Sequence, residues 1–157
     1  MKNQEFYRLI KDIVTTKEFR DMRHYQHHIK GSVYNHSIKV AYLCYCHYKK
    51  YGLDMDLRRF VRAALLHDFY LYDWHDWIPG HRLHLFTHPQ YALQNALRHY
   101  PDLSHRERDM IRNHMFPVTP WTIPETKAGW LICLYDKIAA VSDYLGENKW
   151  KGRERAM

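Results

Sequence analysis

Apolar residues recur at steps of three and four along most of this chain, and the stretches they define are broken by isolated Gly and Pro residues. That period marks one face of a helix rather than the two-residue alternation of a strand, so a nearly all-helical protein is expected. Helices are predicted over about 3–14, 17–28, 32–51, 54–68, 104–115 and 125–145, with another opening at His88-Pro89 behind a Thr87 cap. Ser32 is a cap candidate, Gly52 closes the long third helix, and Ser104 with Glu107 forms a capping-box pattern. Pro79-Gly80 marks 74–87 as a loop, and Pro117, Pro120 and Pro124 mark another. There is no repeat, linker or low-complexity tract, and 157 residues suffice for one hydrophobic core. The expectation is an all-α, single compact bundle of about six to seven helices.

The helical stripes carry groups that packing alone does not require. Thirteen histidines are present, and several fall on apolar faces. His36 shares a stripe with Val33, Val40, Leu43 and His47. Phe60, Ala64 and His67 share another, which leads into Asp68. His88 stands at a helix mouth, and His114 lies beside Met110 and Ile111. Asp136, in the run WLICLYDKIAAV, and Asp143 lie on a stripe with Ile132, Cys133, Ala139 and Ala140. A buried carboxylate is costly unless paired, hydrogen-bonded or bound to a metal. A single buried His is usually a hydrogen-bonded core residue, but a His-Asp pair, three further stripe or helix-mouth histidines and a stripe Asp together point to metal. Mixed nitrogen and oxygen ligands suit first-row transition ions, and six side chains with one bridging carboxylate match two ions about 3.5–4 Å apart.

The formal charge of +7 favours anionic ligands. Lys49-Lys50, Arg58-Arg59, Arg106, Arg108 and the Lys149–Arg155 tail fall on separate elements, so a nucleic-acid stripe is not expected. No segment reaches the roughly 18 unbroken apolar residues of a membrane span, and the start MKNQEFYRLIK lacks a signal-peptide core, so a cytoplasmic protein without a membrane partner is expected. Cys44, Cys46 and Cys133 are an odd number without paired spacing and are read as reduced core residues.

The segments NHSIKVAYL, AALLHDFYLYDW, FTHPQYALQNA, IRNHMFP and LYDKIAAVSDY resemble the successive motifs of the HD-domain phosphohydrolase superfamily over about residues 30–145. The resemblance implies an HD-type bundle, and the charged end KWKGRERAM reads as part of a frayed tail over 146–157. It also implies that the pattern H, HD, H, H, D of the dinuclear members falls on His36, His67-Asp68, His88, His114 and Asp136. One ion would then be held by His36, His67, Asp68 and Asp136, and the other by His88 and His114. Asp68 would bridge them and be the side chain on which catalysis depends most. Two divalent ions are expected, iron first, then manganese or zinc. The chain departs from many relatives in having Val33 three places before its first His and Phe69, Tyr70, Leu71 and Tyr72 after the HD pair. The usual basic substrate contacts are thus missing.

Two dications make water a stronger acid and stabilise charge on phosphoryl oxygens, so the expected reaction is hydrolysis of a phosphate ester or nucleoside polyphosphate, with a small phosphorylated substrate, such as a nucleotide, as partner. The loop 69–86 offers Arg82 as a phosphate partner, His84 or His81 as a proton donor, and Trp74 or Trp77 as a stacking surface. Lys137 is a further candidate contact with phosphate. His27 and His28 read as ordinary helix-end residues rather than orienters of His36. Two alternatives use the same residues differently: a di-iron oxygenase of the HD type, and a non-catalytic basic nucleic-acid binder.

Overall fold

In a computed structural model, residues 2–27, 31–75 and 83–145 are described, and they form seven helices. These are α1 (Lys2–Val14), α2 (Lys17–Asp21), α3 (Val33–Tyr51), α4 (Leu57–Leu66), α5 (His84–His99), α6 (His105–Asn113) and α7 (Lys127–Tyr144). Arg82, His81, Trp77, Pro79-Gly80, His28 and the tail 146–157 lie outside the described residues. No strand occurs among the described residues, and the fold is the expected all-α bundle.

Helix ends follow short polar side chains. Thr16, Ser32, Asp56, Ser104 and Thr126 each accept a hydrogen bond from a backbone N–H in the first turn of the helix they precede. Ser104 and Glu107 complete a reciprocal capping box. Glu107 is fully buried and also accepts from Arg62 Nε at 2.7 Å and Arg59 at 3.2 Å, which locks α6 to α4. A single cluster of buried side chains draws on all seven helices, from Phe6 and Ile10 in α1 to Ile132 and Ala139 in α7. Helix α3 runs through its middle, packed against α4 on one side and α7 on another. His36, His67, His114 and Asp136 are thereby brought to one end of the bundle.

Three expectations need correction. The second helix stops at Asp21, not near residue 28; Met22 is buried, and residues 22–27 turn back so that Gln26 bridges Ser32 and His27 N–H donates to Gly31. Gly31 stands at φ 88°, in the left-handed region that closes this turn. The fourth helix is shorter than 54–68 because Asp56 caps it and His67 already ends it. Helix α5 begins at His84, so Thr87 is not its cap; the Thr87 hydroxyl instead donates to the Leu83 carbonyl at 3.1 Å. Pro89 is therefore inside α5, where its missing N–H removes one intrahelical bond. Accordingly, His84 belongs to a helix rather than to the loop 69–86.

Candidate metal centre

His67 and Asp68 follow the last turn of α4, where the chain leaves the helix inside the protein. Asn95 of α5 donates to the carbonyls of both Phe69 and Tyr70 at 3.0 Å, and Leu71 takes φ 55°, unusual for a non-glycine residue. This clamp fixes the turn directly after Asp68. His36 comes from the first turns of α3, His88 from α5, His114 from the end of α6 and Asp136 from the middle of α7. All six residues are buried, none of them more than 8% exposed.

The imidazole tautomers follow from the partners. Nδ1 of His67 meets the Ala64 carbonyl, Nδ1 of His88 the His84 carbonyl and Nδ1 of His114 the Ile111 carbonyl, each at 2.9 Å. A carbonyl can only accept, so each Nδ1 carries a proton, and each ring, when neutral, presents a lone pair at Nε2. These lone pairs point at one another and at carboxylates. His88 Nε2 and His114 Nε2 are 3.0 Å apart and lie 3.3 and 3.4 Å from Asp68 Oδ1. His67 Nε2 is 3.5 Å from Asp68 Oδ2 and 3.7 Å from Asp136 Oδ1. Among the described residues, neither His67 Nε2 nor Asp68 Oδ1 has a hydrogen-bond partner that meets normal geometry. Lone pairs and carboxylate oxygens packed this way repel unless positive charge lies between them.

His36 is arranged differently. Its Nε2 is 3.0 Å from Asp136 Oδ1 and its Nδ1 is 3.3 Å from Asp143 Oδ2. Asp143 is held in turn by Lys39 Nζ at 2.7 Å. Burial pushes His36 down, but the hydrogen bonds to Asp136 and Asp143 outweigh it and raise its pKa to about 9. A proton thus sits on His36 where a cation fits. Burial likewise pushes Asp68 and Asp136 up, yet hydrogen-bond donation by, and positive charge on, the facing imidazoles, His67 first for Asp68 and His36 first for Asp136, hold both carboxyls well below the usual range. For His114, burial prevails and lowers it to about 4, so it stays neutral and able to ligate.

The two oxygens of Asp68 divide the site: Oδ1 faces His88 and His114, Oδ2 faces His67. Ligand atoms of His36, His67 and Asp136 lie within 4.8 Å of one another, as do those of His67, Asp68 and His114. Sequence reasoning passed over two neighbours. His27, read as a helix-end residue, is buried, stacks on His36 with centroids 3.7 Å apart, and reaches within 3.7 Å of Asp68 Oδ2. Asp143, read only as an acid in need of a partner, supports His36. The Asp143 contact with His36 spans 107 positions and the His27 contact depends on the turn at Gly31, and the periodicity of their own segments encodes neither.

The candidate substrate residues are placed unequally. Lys137 is about one-third exposed, and its ammonium donates to the His114 carbonyl at 2.6 Å and to Asp136 Oδ2 at 3.1 Å. His84 is buried, stacks on His88 at 4.8 Å and meets the Tyr72 hydroxyl at 2.9 Å. Trp74 stacks on His84 at 5.5 Å and donates to the Gln26 carbonyl.

A family model described as the HD domain matches residues 33–146. The chain belongs to the HD domain family. HD domains are generally metal-dependent phosphohydrolases and bind divalent metals. The donor set fits such ions: three imidazoles with fixed tautomers, a fourth oriented by a carboxylate, and two carboxylates whose buried charge needs compensation. No curated protein and no solved structure matched the chain. Among the described residues, no helix is long and apolar enough to cross a membrane. Cys44 and Cys133 are buried free thiols and Cys46 is half-buried.

Proposed function

We propose that this HD domain hydrolyses a phosphate ester or nucleoside polyphosphate at two divalent ions, held by His36, His67, Asp68, His88, His114 and Asp136. The observation that carries the reading is the division of Asp68, one oxygen toward the His88–His114 pair and the other toward His67. A carboxylate facing two separate nitrogen groups is suited to bridge. When bound, the ions would supply a water of lowered pKa and stabilise charge on the phosphoryl oxygens.

The remaining work belongs to the chain's own residues. The backbone carbonyls of Ala64, His84 and Ile111 hold three rings with Nε2 inward, and Asp143 does the same for His36. Lys137 fixes Asp136 Oδ2, leaving Oδ1 toward His36 and His67. Its partly exposed ammonium is also the described cation best placed to meet a substrate phosphate. Tyr70 and Phe69 are buried where many relatives carry a basic side chain, so recognition of the substrate's charge falls to Lys137 and, by proposal, to Arg82. His84, buried behind His88, positions that ring rather than protonating a leaving group.

A panel of phosphomonoesters, phosphodiesters and nucleoside polyphosphates, assayed anaerobically with manganese in place of iron, tests this reading. Hydrolysis without dioxygen supports it. Turnover of an organic substrate only with iron and air, with every phosphate ester untouched, would replace it with the oxygenase reading.

A further inference from the structure

Helix α7 has two apolar faces. The inner one, with Ile132, Cys133, Asp136 and Ala139, packs against α3 and α6. The outer one carries Trp130, Leu134, Ile138, Val141, Tyr144 and Leu145, each between 44% and 64% exposed. Past Lys127, every exposed position of α7 is apolar or aromatic. Lys137, at the edge of this face, turns its ammonium toward His114 and Asp136. Helix α1 shows the ordinary pattern, with Gln4, Glu5, Arg8, Lys11 and Asp12 on its exposed face. A helix that is apolar all round is normally one that is buried all round.

Side chains of this size at about half exposure leave on the order of 600 Å² of apolar surface on α7 alone, at the top of what a monomer usually shows. The Phe116–Trp130 ring contact, with centroids 5.1 Å apart, ties the stripe to the loop after α6, where Val118 is exposed as well, whereas Trp121 and Ile123 of that loop line a groove with Phe86 and Pro89 of α5. The stripe therefore reaches the ~600 Å² per partner at which specific interfaces begin.

We infer that the outer face of α7 is a homodimer interface, in which two copies pack α7 antiparallel about a two-fold axis near Ile138. The spacing suits this occupant. The large side chains fall at steps of four, four, three and four, and they are nearly symmetric about Ile138. Leu134 then meets Val141 of the partner subunit, and Trp130 meets Leu145 of the partner subunit, so one patch serves both copies. Between Trp130 and Leu145 the exposed side chains are all uncharged, with Lys127 at the start of the stripe and the one-third exposed Lys137 at its edge, fewer cations than border a helix that rests on a lipid surface. Residues 146–157 are a poor cover, since Lys, Arg and Glu dominate them and Trp150 is their one aromatic residue. The antiparallel arrangement also fastens the helix that carries Asp136 and Asp143.

Sedimentation equilibrium of the full chain, together with its Leu134→Lys and Val141→Glu variants, tests the inference. Both positions are exposed and outside the metal centre, so the variants should keep the wild-type helical circular dichroism. The wild type should be a dimer at micromolar concentration. Each single variant should weaken dimerisation at least a hundredfold. The double variant should recover much of that loss, because the ammonium introduced at position 134 would then face the carboxylate introduced at position 141 across the axis. A monomeric wild type overturns the proposal, whether the face meets another protein, a membrane or nothing. A wild-type dimer that neither single variant weakens, or a double variant weaker than both singles, overturns the assignment to this face.

Discussion

Removing the Asp143 carboxylate should weaken one end of the metal centre selectively. His67, His88 and His114 are oriented by backbone carbonyls of their own helical turns, which no side-chain substitution removes. His36 relies on Asp143, so Asp143→Ala deprives Nδ1–H of its acceptor and leaves the ring held by its stack on His27 and by Asp136 alone. Outer-shell partners of this kind typically contribute 10–100-fold to metal affinity. Here the lower end applies, because 3.3 Å is long for a charge-assisted bond and Asp143 is shared with Lys39. The expected loss is about tenfold, or ~1.4 kcal/mol, in the affinity of the ion near His36. The ion near His88 and His114 should be almost unaffected. Folding should suffer by only about 1 kcal/mol, since Lys39 keeps its bond to Ser142 at 3.0 Å. Stepwise competition against a chelator, followed by metal analysis at each step, resolves the two affinities. Equal weakening of both ions, or none, would refute the assignment of Asp143 as the support of His36.

Other consequences follow from the same geometry. Asp68→Ala should abolish activity and lower the occupancy of both ions, whereas His114→Ala should empty mainly one; titration with manganese followed by gel filtration separates these outcomes. Gly129→Ala should destabilise the fold by about 2 kcal/mol, lowering Tm by several degrees, despite the better helix propensity of Ala. The new Cβ would run into the buried Asp109 carboxylate and stand 3.0 Å from Pro124 Cβ. That carboxylate accepts from the N–H groups of Glu125 and Thr126, both at 2.9 Å, and so anchors the start of α7. In the metal-stripped protein, His36 stabilises the fold fully below its unfolded value of 6.5, and that contribution fades as pH rises through about 9. His114 acts in the opposite direction. The unfolded chain takes up its proton below 6.5 while the folded one resists until about 4, so stability falls as pH drops across that interval. Thermal melting of the stripped protein should therefore peak near pH 6.5, and the high-pH decline should disappear when ions are bound.

Much of this architecture is legible in the sequence, because helix formation and burial are local. The stripes through His36, His67, His114 and Asp136 predict which face each side chain occupies, and Ser32 and Ser104 mark two helix starts where they occur. What was not legible depends on distant contacts. Residues 22–27 have the composition of a continuing helix, yet burial of Met22 and the turn at Gly31 bend them so that His27 stacks on His36. Pro89 reads as a first-turn residue because it usually is one; α5 nonetheless starts at His84, where Tyr70, Tyr72 and Trp74 pack around the His84 ring. Asp143 lies on the stripe that periodicity assigns to it, but its partnership with His36 crosses 107 positions of sequence.

The most direct test of a two-ion hydrolytic centre is to load the metal-stripped chain anaerobically with manganese and measure bound metal and phosphate-ester hydrolysis in the same sample. Hydrolysis should rise with loading and reach its plateau at close to two ions per chain, the number that six ligands with one bridging carboxylate call for. A plateau at one ion, or a fully loaded chain that leaves every phosphate ester in the panel intact, would contradict it.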